Sequence, residues 1–234
     1  MNERVRAGAP FVRAIFAAIA PRYDFLNHLL SVGLDHRWRT RAAAACGPDG
    51  TVLDICCGTG DLSRAILARR GRRVVACDFS PAMLAQARRK LARPGRAAIL
   101  QADALRLPLA DGSVDAAASA FGLRNLADPA AGLAEMVRVV RPGGRVVVLE
   151  FHAPLGRGFR QRAFLLYFRR VLPRLARSIA GPDRGAYRHL VASVEAFGPA
   201  EATAEAMRAA GLEAVTVERL PGGVADIVAG RRPH

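Results

Sequence analysis

The sequence predicts an α/β protein built on one Rossmann-like, mostly parallel sheet, and three observations predict it. From Thr51 to Phe151, short apolar runs alternate with helix-like stretches, the pattern of βαβ units. Residues 51–61, "TVLDICCGTGD", run a buried strand into a G-x-G turn and then to a polar residue that can open a helix. Near the end, "EAVTVERL" and "VADIVAG" follow one another around "PGG" with no helix between them, which reads as an antiparallel hairpin at one sheet edge. With 234 residues, 51% of them apolar, the chain accommodates one such domain (1–234) and its core.

In chain order, residues 11–45 read as amphipathic helix, and 1–45 as a helical cap in front of the sheet. The first five strands fall at 51–55, 73–77, 98–101, 114–120 and 145–151, with helices at about 61–70, 81–92 and 130–140. "RPGG" at 141–144 stops the third of these helices, because Pro142 cannot continue it and the glycines turn the chain into the next strand. A basic, aromatic-rich insertion fills 152–198. "PAEATAEAMRAA" (199–210) is then a helix closed by Gly211, and the hairpin brings the strand count to seven.

Composition narrows the class. No apolar run reaches the roughly 20 residues that span a bilayer, and "MNERVRAGAP" lacks the apolar region of a secretory signal, so a cytoplasmic protein is expected. Cys46, Cys56, Cys57 and Cys77 have neither C-x-x-C spacing nor geometry for a bridge between neighbours, and read as small buried residues in a reducing compartment. No cluster with metal-ligand spacing is visible, so no metal is expected. The net charge is +15, and Lys90 is the only lysine. Such a surplus suggests an anionic partner, either nucleic acid or the anionic face of a membrane.

Ligands of open α/β sheets bind beyond the carboxyl ends of the strands. Gly58 and Gly60 let a ligand approach the backbone closely. Asp78 ends the second strand, 18 residues beyond Gly60, where a carboxylate can accept hydrogen bonds from a ribose. Asp103 follows the third strand, and "SAFGLRN" (119–125) closes the fourth. A pyrophosphate disfavours nearby carboxylates, yet Asp54 and Asp61 flank this turn. The acidic surroundings suit a ligand with a ribose and a cationic centre, as in S-adenosylmethionine (SAM). Asp54 either holds its ammonium or stabilises the turn. Asp61 either contacts the ligand or caps the following helix. Asp103 is a ligand contact or an ordinary loop acid. Arg124 and Asn125 close an apolar strand and are read as facing the substrate, since an unpaired buried Arg is costly. Tyr23, Asp24 and Asn27 share a stretch of the front helix, with 23 and 27 on one face, and serve either in packing or in substrate contact. His152 and His189 are bases or structural residues.

The motifs "VLDICCGTGD", "DFSPAMLAQARRK", "ALRLPLADGSVD", "AFGLRN" and "RVVRPGGRVVVLEF" resemble those of class I SAM-dependent methyltransferases. More specifically, "FAAIAPRYDFLNHLLSVGLDHRWR", "FGLRN", "VLP" at 171–173, "AYRHLVASVEAF" and "LPGGVADIVAGRRP" resemble the demethylmenaquinone/2-polyprenylbenzoquinol C-methyltransferase family, across nearly the whole chain. The resemblance implies a class I methyltransferase fold and a peripheral enzyme of the inner membrane face that methylates a ring carbon of a prenylated hydroquinone. It also implies SAM contacts at Thr59, Asp78, Asp103 and Ala104. The family often has Ser just before "FGLRN"; here Ala120 holds that place, with Ser119 one residue earlier. A homo-oligomer is compatible with it. A methyltransferase acting on nucleic acid is the alternative that the charge suggests, but "SAFGLRN" stands where amino-directed enzymes carry an N/D-P-P-Y/F sequence, and no RNA-binding module is appended. A SAM-binding protein without catalysis is the third reading. Within residues 159–179, "FRQRAFLLYFRRVLPRLARSI", an apolar core lies among Arg160, Arg162, Arg169, Arg170, Arg174 and Arg177, a pattern suited either to the interface of an anionic membrane or to a core helix with a solvated basic face.

Overall fold

The computed structural model describes residues 23–92, 95–152, 192–194, 196–223 and 225–234. Part of the expected front helix (11–22), most of the 152–198 insertion with its basic 159–179 stretch, and His189 lie outside the described residues. The front segment contributes two helices, α1 (Tyr23–Leu30) and α2 (Leu34–Ala45), separated by a turn in which Val32 and Gly33 take positive φ. The sheet core follows as β1 (Gly50–Ile55), α3 (Asp61–Leu67), β2 (Arg72–Asp78), α4 (Pro81–Lys90), β3 (Ala97–Gln101), β4 (Val114–Ala120), α5 (Pro129–Val139) and β5 (Val140–Phe151). It closes with α6 (Ala200–Ala209), β6 (Glu213–Arg219) and β7 (Ala225–Arg231).

Two helix starts have visible causes. Ser80 accepts a hydrogen bond from the Met83 N–H, and Pro81 occupies the first turn of α4. Asp128 accepts from the N–H groups of Ala130 and Ala131 ahead of α5, again with a proline in the first turn.

The seven strands are ordered β3-β2-β1-β4-β5-β7-β6, parallel through β5 and antiparallel at the β5–β7 and β6–β7 pairs. Chain order reverses between β1 and β4, so the switch-point crevice opens at the carboxyl ends of these two strands. The fifth strand departs from its expected span of 145–151. It begins at Val140, pairs with Val114, and resumes pairing only at Arg145 opposite Ala116. The proline and glycines of 141–144 therefore form a bulge inside the strand. Gly144 permits it, because a Cβ there would lie 2.6 Å from the Asp115 carbonyl oxygen.

Alternation along the strands sends side chains to both faces. Val52, Val74, Ala116, Ala118, Val147 and Leu149 pack with α2, α3 and α4, whereas Leu53, Ile55, Ala117, Val146 and Val148 pack with α5 and α6. Trp38 of α2 is 1% exposed and ties the cap to the sheet. Its indole N–H donates to the Pro221 carbonyl at 3.0 Å, and its ring lies 6.3 Å from Phe121 and 6.1 Å from Phe151. Trp38→Ala removes a buried aromatic and leaves a cavity, and should cost about 3–5 kcal/mol of stability in denaturant unfolding.

Candidate active site

The glycine turn after β1 is built from residues in the left-handed region. Cys56 (φ 56°), Gly58 (φ 55°) and Gly60 (φ 88°) reverse the chain into α3. The Cys57 N–H donates to the Cys77 carbonyl, and the Gly60 N–H to the Cys57 carbonyl, both at 2.9 Å. Glycine is needed at 60, where a Cβ would approach Leu91 Cδ1 to 3.0 Å. A Cβ on Gly58 would stand 3.8 Å from Tyr23 Cε1, so the backbone at 58 is open toward the cleft.

The end of β4 mirrors this turn. Phe121, like Cys56 a non-glycine residue with positive φ (61°), is followed by Gly122. A Cβ on Gly122 would lie 2.4 Å from Cys56 Cβ and 3.0 Å from Ser119 Oγ, so the two strand ends touch through this glycine. Left-handed backbone at non-glycine residues is costly and collects at functional sites. Both Cys56 and Phe121 line one cleft, together with Tyr23, Gly58, Asp78, Phe79, Met83, Gly122, Asn125 and Leu126.

Asp78 is the carboxylate of that wall. Its Oδ2 accepts from the Gly58 N–H at 2.9 Å and its Oδ1 from the Ser80 N–H at 2.8 Å. Burial raises its pKa above the ordinary carboxylate value, opposed by these N–H donors. Tyr23 reaches the same cleft from α1. Its hydroxyl hydrogen-bonds the Asn27 side chain, and burial raises its pKa above the ordinary 10.0, so it is a proton donor at neutral pH.

Arg124 and Asn125 lie in a short 3-10 turn, Leu123–Asn125, and the structure divides them. Asn125 lines the cleft and donates from Nδ2 to the Phe121 carbonyl at 3.2 Å. Arg124, expected to face the substrate, is instead enclosed: its guanidinium pairs with the fully buried Glu150, donates to the Phe121 carbonyl at 2.7 Å, and reaches Ser193 Oγ at 3.2 Å. The cause is Glu150, a buried carboxylate at the end of β5 that requires a cation. Sequence reading missed this partner, because "VVVLEF" looks like uninterrupted strand.

The remaining expected residues are distributed around the cleft. Asp54 is 1% exposed beneath the turn, where its Oδ2 accepts from Ser63 Oγ at 2.6 Å; it does not line the cleft. Burial pushes its carboxyl up to about 7. Asp61 is the first residue of α3, whose N-cap is Gly60, so it caps nothing; its Oδ1 accepts from Lys90 Nζ at 2.6 Å. Burial raises its pKa and the Lys90 ammonium more than offsets this, leaving the carboxyl below its ordinary range. Thr59 donates to Asp24 Oδ1 at 2.5 Å, which turns both residues toward each other. Asp103 is exposed and accepts the Leu105 N–H at 2.9 Å, and Ala104 is buried beside Leu107. Ser119 is buried behind Gly122, and its hydroxyl has no partner among the described residues; Ala120 is half-buried. His152 is buried between Thr203 Oγ1 (3.1 Å) and Asp226 Oδ2 (3.3 Å), a structural position.

Although no metal-ligand spacing was visible in the sequence, the α1–α2 turn brings His28, Asp35 and His36 together. The Asp35 carboxylate is already engaged by His28 Nδ1 and Ser31 Oγ, both at 2.8 Å, with Arg39 Nε 3.5 Å away.

With this geometry in view, the chain matches the ubiE/COQ5 methyltransferase family over residues 3–232. It is 50% identical to a demethylmenaquinone methyltransferase of Thermus thermophilus, over 94% of this chain and 100% of that protein. A protein of the same description from Deinococcus radiodurans is 47% identical over 86% of this chain and 84% of its own. Among solved structures, a SAM-dependent methyltransferase of Thermotoga maritima superposes with a TM-score of 0.67 at 20% identity, covering 94% of this chain and 99% of the other. Phosphoethanolamine N-methyltransferase 2 of Haemonchus contortus, in complex with SAM, gives 0.62 at 15% identity over 85% and 53%.

The Asp54 carboxyl has a sign that can be tested. Its folded pKa of about 7 exceeds the ordinary 3.8, so between these values the folded chain holds a proton that the unfolded chain has lost. Stability should therefore fall as pH rises through that window. Thermal unfolding of Asp54→Asn from pH 4 to pH 7 should show a shallower fall than the parent.

Proposed function

Because the chain belongs to the ubiE/COQ5 methyltransferase family and is a SAM-dependent methyltransferase, we propose that its cleft transfers the methyl group of SAM to a ring carbon of demethylmenaquinol. The observation that carries this reading is a cleft with two unlike halves meeting at the switch point. One half has the bare backbone of Gly58, with Tyr23 over it, and the Asp78 carboxylate; the other has Phe121, Leu126 and Asn125. The first half fits the cofactor: Gly58 leaves space that a side chain would occupy, and Asp78 can accept from the hydroxyls of a ribose. Phe79 and Met83 supply apolar surface on the same side.

When bound, SAM supplies an electrophilic methyl on a cationic sulfur. The chain's own residues act on the acceptor. An aromatic carbon becomes nucleophilic when the neighbouring hydroxyl loses its proton, and a phenol titrates near 10 in water, so the site must favour the anion. Asn125 and Tyr23 are the donors on the cleft wall that can hydrogen-bond this oxygen. Arg124, neutralised by Glu150, acts one step behind: it and Asn125 grip the same Phe121 carbonyl and so fix the strained turn that aims Asn125. The apolar walls hold the ring with its reacting carbon facing the cofactor half, and alignment of this kind is a large part of a transfer rate. Loss of the ring proton afterwards restores aromaticity.

Supplying the purified protein with SAM and a short-chain demethylmenaquinol should give the methylated naphthoquinol. Asn125→Ala should lower kcat by about 10–100-fold with little change in SAM affinity. A methoxybenzoquinol presents the same reacting edge and belongs beside it in the assay. Methylation of that ring alone would move the function from menaquinone to ubiquinone biosynthesis, and methylation of neither would overturn the proposal.

A prenylated acceptor keeps its tail in the bilayer, and no helix among the described residues is long and apolar enough to cross a membrane. The proposal therefore includes peripheral attachment to the cytoplasmic face, supported by the basic, apolar sequence 159–179 and the +15 charge. Co-sedimentation with anionic vesicles should be strong at low salt, weaker at high salt and slight with neutral lipid. Reversing Arg169, Arg170 and Arg174 to Glu should weaken it.

A further inference from the structure

In a chain whose other cations are arginines, Lys90 stands where arginine would not serve. Its Nζ is donor to three acceptors at once: Asp24 Oδ2 at 2.6 Å, Asp61 Oδ1 at 2.6 Å and Thr59 Oγ1 at 3.0 Å. Three acceptors converging on one atom match the three N–H bonds of an ammonium, whereas a planar guanidinium spreads its donors along a fork. Thr59 accepts from Lys90 and donates to Asp24, closing the ring of contacts.

The four residues come from four places. Asp24 lies in the first turn of α1, Thr59 in the glycine turn, Asp61 at the start of α3, and Lys90 at the end of α4. Asp24 adjoins Tyr23, whose ring covers Gly58 in the cleft. We infer that Lys90 is a positioning residue, the latch that holds α1 closed across the glycine turn so that Tyr23 stays over the cofactor half of the cleft. Opening of the cap for cofactor exchange then requires the Asp24–Lys90 pair to separate. Its side chains are 32% and 23% exposed, so water can replace the contact. Asp61 remains as the fixed anchor, its side chain 8% exposed.

The inference rests on SAM binding in this cleft, so wild-type affinity and stoichiometry are measured first, which separates failure of the latch from failure of the cofactor assignment. In Lys90→Met and Asp24→Asn, SAM should dissociate about tenfold faster, with stoichiometry and association rate little changed. A merely structural role would lower the fraction able to bind and leave the dissociation rate of that fraction unaltered. The double variant should be no faster than either single one, because both remove the same contact. Lys90→Arg should not restore slow release. Should the variants fail to fold, the wild-type dissociation rate carries the test. It should rise with ionic strength toward 1 M salt, where screening acts within about 3 Å. Unchanged release in a folded Lys90→Met, additive effects in the double variant, wild-type behaviour of Lys90→Arg, or release insensitive to salt would overturn the latch.

Discussion

The contact between Gly122 and Cys56 is the constraint on which the site depends. It joins the ends of β1 and β4, the two central strands between which chain order reverses. With a Cβ of residue 122 only 2.4 Å from Cys56 Cβ, no other residue fits without moving one strand end. The close approach holds Cys56 and Phe121 in their left-handed conformations, and these two residues turn the backbone away to leave a cleft. Gly58 and Asp78 then face one side of it, Phe121 and Asn125 the other. Parallel pairing alone would bring the strands together without creating a pocket; the strained residues at their ends create it.

Charge is distributed around the cleft by a simple rule: acids that are not needed at the cleft wall are matched by cations or neutralised. Glu150 takes Arg124, Asp61 and Asp24 take Lys90, and Asp54 is pushed toward its neutral form by burial. Asp78 is stabilised only by N–H groups and remains the acid of the cleft wall. The reading of the acidic turn as a cation site thus reached the cofactor by a partly different route from the one the structure uses. Of the two acids in that argument, Asp54 and Asp61, neither lines the cleft; Asp78, read as the acceptor for a ribose, does.

The fold was legible because its signals are local. Alternating apolar runs, the glycine turn and the late hairpin yield seven strands and their layering without long-range information. Element ends such as Arg72 and Ala97 shifted by a residue, whereas the start of β5 moved by five, since "RPGG" signals a helix stop and a bulge equally well. In the site, Asp78, Gly58, Tyr23 and Asn125 could be found from their places at strand and helix ends. Arg124–Glu150 and Lys90–Asp24 could not: their partners are 26 and 66 residues apart, and a charged residue in an apolar strand reads as noise until its partner stands beside it.

The four cysteines have a consequence for how this protein can be handled. Cys46 and Cys77 are driven by burial to about 12, and Cys56 and Cys57 are also raised by burial, so all four stay protonated, unreactive thiols at neutral pH. They are spread through the structure: one closes α2, two sit in the glycine turn, and one lies in β2. Alkylation of each therefore waits for its own surroundings to open. With no disulfide to reduce, a timed pulse of an alkylating reagent, read by peptide mass, maps which part of the sheet breathes first, using only the side chains the protein already carries.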